Sequence, residues 1–115
     1  MARHKLPRIR GTQVGLKNPR HVDQVKAQMR SGQFPYDEIA FRISGITDRQ
    51  GTYHVVEGHH RIVAAMELFR ETRDSSSVIN LIAHGKWDEQ KNPPRDSRPL
   101  PARHWWGAFR NWLGI

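Results

Sequence analysis

Within five consecutive positions, Glu57-Gly58-His59-His60-Arg61, the chain sets a carboxylate, two imidazoles and a guanidinium around one glycine. Each type has a role in chemistry on phosphate esters. An imidazole titrates near pH 6.5 and can give or take a proton at neutral pH. A guanidinium can hold a phosphate by a forked pair of hydrogen bonds, and a carboxylate can serve as base or metal ligand. Glu57, His59 and His60 are therefore the candidate catalytic residues, and Gly58, His59 and Arg61 the candidate phosphate ligands. Adjacent imidazoles on a helix lie about 100° apart, so one is expected to serve the site while the other orients or caps.

These residues sit where two kinds of periodicity meet. Tyr53 to Val56 is a β-branched run that predicts a strand. Beyond Gly58, Ile62, Ala65, Met66 and Phe69 fall on one helical face. Glycine permits the sharp bend between them. The first N–H groups of a helix lack intrahelical acceptors and carry the positive end of its dipole, so this junction is a natural anion site. Capping alone is the plainer alternative, but it needs fewer polar groups than are present. The spacing is not that of a zinc-binding His-Glu-x-x-His helix. A divalent cation would need Glu57 with His59 or His60 and a further ligand such as Asp48 or Gln13, so metal dependence stays open.

The strand followed by Gly58, His60, Arg61 and Ala64 resembles the signature of the ParB/sulfiredoxin superfamily, Gly-x-(His/Arg)-Arg leading into a helix. Sulfiredoxins carry a cysteine where this chain has His59, and the chain has no cysteine, so thiol-based repair is excluded. Glu-Gly-His-His-Arg, with Ser97-Arg98-Pro99-Leu100-Pro101 and Trp105-Trp106-Gly107 near the end, is similar to ParB-like domains at the C-termini of bacterial polymorphic toxins. The resemblance implies an α+β fold, a small mixed sheet packed with helices. It also implies a toxin acting in the cytoplasm of a target cell, delivered as the end of a larger secreted protein and matched by an acidic immunity protein. It makes Gln13, ahead of the first helix, a further residue facing the site.

A chain of 115 residues is one domain. Without cysteine there are no disulfides, thiolate nucleophiles or Cys-ligated metals. No apolar run approaches the ~20 residues of a membrane span, and no signal-peptide core follows the basic start. The net charge of +8 is uneven: eight Lys/Arg against one acid in residues 1–30, six against nine in 31–90, five against one in 91–115. Two basic ends suit a polyanion partner, nucleic acid or nucleotide; simple solubility is the bland alternative.

Along the chain, Ile9 to Val14 predicts a short edge strand. Asn18-Pro19 predicts a helix start, with Val22, Val25 and Met29 buried, the cations in water and a stop near Gly32. Phe34 is expected to plug the core. Ile39, Phe41 and Ile43 alternate, predicting a strand over Glu38 to Ile43, and Gly45 through Gly51 a hairpin connection to a strand at 52–56. Ser75 or Ser76 should cap a helix carrying Val78, Leu81 and Ile82, which leaves the sheet a strand short of the ParB pattern. Residues 1–87 thus read as the core, 88–102, with four prolines, as a linker, and 103–115 as a C-terminal tryptophan-rich helix packed on the core.

Three functions fit: a nuclease toxin cutting DNA or RNA; an enzyme binding or hydrolysing ATP or CTP, as relatives do; and a non-catalytic ParB-like DNA-binding module. The last lacks the helix-turn-helix segment that ParB proteins use to read DNA.

Overall fold

The structure, a computed structural model, describes residues 6–102. The expected C-terminal tryptophan-rich helix at 103–115 lies outside the described residues.

The chain is α+β. Four strands, β1 (Ile9–Gly11), β2 (Ser44–Thr47), β3 (Tyr53–Glu57) and β4 (Lys86–Glu89), form one mixed sheet in the order β1-β3-β2-β4. β1 runs parallel to β3, β2 antiparallel to β3, and β4 parallel to β2. Three helices accompany them: α1 (Pro19–Arg30), α2 (His59–Thr72) and α3 (Ser76–His84), with α2 in contact with both others.

Helix α1 starts with Pro at its first position, where the missing N–H costs nothing. Val22, Val25 and Met29 are buried, as their spacing predicts. Phe34 joins them, stacked edge-on with Tyr36 and Phe41. The face of α2 that packs is broader than the predicted one. Ile62, Val63, Ala64, Ala65 and Leu68 are buried, while Met66 and Phe69 lie at the margin. Val55 of β3 and Val78 and Leu81 of α3 complete the core. Each valine, leucine, isoleucine, methionine or phenylalanine among them contributes roughly 1.5–3 kcal/mol when fully buried, and each alanine less.

Three expectations are corrected. Residues 38–43 are not a strand: Ile39–Phe41 forms a 3-10 turn closed by Phe41 N–H to Glu38 and Arg42 N–H to Ile39. Ile39 is exposed, and only Ile43 is fully buried. The strand proper begins at Ser44, where Gly45 is required because a Cβ there would stand 1.9 Å from the His54 carbonyl oxygen. Nor are all of the α1 cations in water. Lys26 is buried and pairs with Glu67 at 3.2 Å and with Glu71 of α2, which also binds Arg30. Helix α3 forms as expected, yet the sheet is not short. Lys86–Glu89 supplies the fourth strand, with Trp87 Nε1 donating to the Ile82 carbonyl and its ring edge-on to Tyr53. β4 crosses the 87/88 boundary. Residues 90–101 are mostly irregular, with Gly11 and Arg98 exchanging backbone hydrogen bonds in both directions.

Candidate functional site at the β3–α2 junction

β3 ends at Glu57 and α2 begins at His59, leaving Gly58 alone to make the turn. Its φ of 97° is left-handed, and a Cβ there would stand 2.5 Å from Ile43 Cγ2. Glycine is therefore enforced twice, by backbone angle and by space. The Gly58 carbonyl accepts from the amides of Arg61 and Ile62, each at 3.1 Å. The amides of His59 and His60 precede these first bonds and are the helix-start donors that an anion would use.

The two adjacent imidazoles have different surroundings. His59 is 3 % exposed. Its Nε2 accepts the Thr12 N–H at 3.1 Å, and its ring is bonded to the backbone of Val55, whose carbonyl also receives the Thr12 hydroxyl. Burial, followed by the charge of His60, lowers the pKa of His59 below 6.5. A neutral ring with both nitrogens occupied holds β1, β3 and α2 together and has no lone pair for a substrate. His60 is half-buried at the surface. Its Nε2 accepts the Asn18 N–H at 3.1 Å, and its ring stands edge-on to His21, centroids 5.5 Å apart. Burial first, then His21 and Arg61, lowers its pKa. The neutral ring therefore keeps its proton on Nδ1 as a donor.

Arg61 turns towards the 3-10 segment, donating from Nη2 to Ala40 at 3.2 Å and from Nη1 to Arg42 at 3.4 Å. A guanidinium has five N–H donors, so three remain. Glu57 is exposed beside the turn, and Gln13 donates from Nε2 to the Gly15 carbonyl. Glu57, Gly58, His59, His60, Arg61, Gln13, Val56 and His21 line one open cavity of about 290 Å³. The structure thus brings every residue singled out at the junction, and Gln13 with them, to one place. Asp48, the other possible cation ligand, is instead bonded to His54. Among the described residues no three His, Asp or Glu side chains are grouped as metal ligands.

Sequence reasoning missed His21 and Thr12. The signal for His21 was its place in the first turn of α1, four positions before buried Val25 and so on the packed side. Thr12 acts through its amide and its hydroxyl, both on groups more than 40 positions away, and left no local signal.

No protein-family model matches the chain, and no curated protein or solved structure matches it. No helix among the described residues is long and apolar enough to cross a membrane.

Proposed function

We propose that the chain is a ParB/sulfiredoxin-like toxin domain that hydrolyses phosphate esters, with nucleic acid as its substrate. The observation that carries this is the open cavity at Gly58, where the first amides of α2 meet an exposed carboxylate and a neutral imidazole donor. A phosphodiester held there receives the His59 and His60 amides, the His60 Nδ1–H and the charge of Arg61. Glu57 takes a proton from the attacking water as its oxygen bonds to phosphorus. The leaving oxygen departs with a proton from His21, whose ring stands edge-on to His60 in the same cavity. His59 builds the turn and takes no part in proton transfer. The basic ends raise the local concentration of polymer. The site of action is the cytoplasm of a target bacterium, reached as the C-terminal part of a larger secreted protein and countered by an acidic immunity protein.

The experiment is incubation of the purified chain with plasmid, total RNA and labelled ATP and CTP, with and without chelator, beside Glu57→Gln and His60→Ala. Cleavage of either polymer that is lost in Glu57→Gln, together with relief of toxicity on expression in bacteria, supports the proposal. Turnover of free nucleotide alone moves the function to a nucleotide hydrolase. Binding of DNA with no turnover of any substrate leaves a DNA-binding module. Full activity in both variants removes the site.

A further inference from the structure

At the opposite end of β3 from Glu57, a second set of chemically able side chains converges from three separate stretches of chain. Asp48, in the turn between β2 and β3, uses Oδ1 to accept the amides of Gln50 at 2.9 Å and Thr52 at 3.1 Å. Its Oδ2 faces His54 Nε2 at 2.8 Å. His54 is 1 % exposed, and its Nδ1 faces Ser97 Oγ at 2.7 Å. Arg10 on β1 donates from Nε to the same Oγ at 2.9 Å.

The protons in this chain can be placed. The hydrogen bond from His54, backed by the Thr52 and Gln50 amides, holds the Asp48 carboxyl below its ordinary value despite burial. An ionised Asp48 can only accept, so His54 Nε2 carries the ring proton. Its Nδ1 then offers a lone pair, and the Ser97 hydroxyl donates to it. This is a serine–histidine–aspartate relay in which the two ring nitrogens exchange their usual partners; such relays are recognised by geometry and role. Asp48, His54 and Ser97 line an open cavity of about 330 Å³, with Arg8 and Arg10 also on its wall. Pinning residues 97–98 to the sheet does not require the relay, because Gly11 and Arg98 already exchange two backbone hydrogen bonds there.

We propose that Ser97 is a nucleophile, activated by His54 and oriented through Asp48, towards a small carboxylic ester whose anionic group is drawn in by Arg8 and Arg10. Ser97 Oγ bonds to the carbonyl carbon while its proton passes to His54 Nδ1, and the carbonyl electron pair moves onto oxygen beside the Arg10 guanidinium. Collapse expels the alcohol, which takes the proton back from Nδ1. Water repeats the sequence, releasing the carboxylic acid and restoring the serine. The net reaction is ester plus water to acid plus alcohol, and it requires nothing from the Gly58 cavity.

The test is labelling of the intact chain with a fluorophosphonate at pH 8, with the adduct mapped by peptide mass spectrometry. In parallel, hydrolysis of a nitrophenyl ester of succinate is compared with that of nitrophenyl acetate. One adduct on Ser97 is expected in the folded chain and none in the urea-unfolded chain. Asp48→Asn should label at least ~100-fold more slowly, since losing the orienting carboxylate costs about 10⁴ where it has been removed from such a relay. The preference for the succinate ester should disappear in Arg8→Ala. An unlabelled Ser97 in the folded parent, or equal labelling before and after unfolding, overturns the proposal; the parent result alone decides it, whatever the variants' stability.

Discussion

The backbone N–H of Thr12 ends on Nε2 of His59, 3.1 Å away, tying the segment after β1 to the first residue of α2. Removing the ring leaves that amide without its acceptor, frees the Val55 carbonyl of one partner and opens a void. A lost buried partner costs about 1–3 kcal/mol, and the void adds to it. His59→Ala should therefore lose about 3 kcal/mol in urea unfolding, and half-buried His60→Ala about 1 kcal/mol or less. Equal losses in the two variants would contradict the division of labour between the imidazoles.

Gly58→Ala must place a Cβ 2.5 Å from Ile43 Cγ2 at a φ of 97°. Left-handed backbone costs a non-glycine residue about 1–2 kcal/mol, and overpacking typically adds about 1–3 kcal/mol. The steric part should be relieved by Ile43→Ala and the backbone part should not. A double-mutant cycle is expected to show coupling of about 1 kcal/mol or more; strict additivity would mean the contact is unimportant.

Lys26 lies between two carboxylates, Glu67 being 3 % and Glu71 31 % exposed at the side chain. Lys26→Met removes the ammonium from beside the buried Glu67 carboxylate, a loss of about 1–3 kcal/mol as for a buried polar group deprived of one partner. Arg30→Ala deletes only an exposed pair with Glu71, about 0–1 kcal/mol. Chemical denaturation of the two variants checks the ordering.

Acid should unfold the protein in two stages. His59 and His60 both have pKa values below the ordinary 6.5. As pH falls through 6.5 the unfolded chain takes up protons that the folded one refuses, so stability declines and then levels below the folded values. Asp48 acts in the same direction at lower pH: its carboxyl is held below 3.8, so its contribution is intact above that pH and is lost as pH falls through the folded value. Urea midpoints from pH 7.5 downwards should show both declines. His59→Gln should flatten the first, and Asp48→Asn should remove part of the second. A midpoint constant between pH 7.5 and 5.5 would argue against buried neutral histidines.

Where sequence reasoning succeeded, local signals agreed with tertiary demand. Asn18-Pro19 opened α1, the β-branched run Tyr53 to Val56 became β3, and Glu57-Gly58-His59 proved to be the bend that builds the cavity. It failed where distant groups decided the outcome. The alternation of Ile39, Phe41 and Ile43 suits a strand, but Arg61 takes the Ala40 and Arg42 carbonyls, and Ile43 is needed beneath Gly58. β4, Lys-Trp-Asp-Glu, has little strand character of its own and forms because Thr47 and its neighbours on β2 offer partners. Lys26 resembles any surface lysine until α2 brings Glu67 against it. The Asp48–His54–Ser97 relay joins residues up to 49 positions apart, beyond the reach of any local pattern.

The paired hydrogen bonds between Gly11 and Arg98 also bear on how copies of this molecule behave towards one another. An open sheet has two margins at which a foreign strand can add. On the β1 side the returning chain occupies those positions at Gly11, and on the β4 side Lys86, Asp88 and Glu89 present charges to any newcomer. A protein built this way can be concentrated without its sheets zipping together.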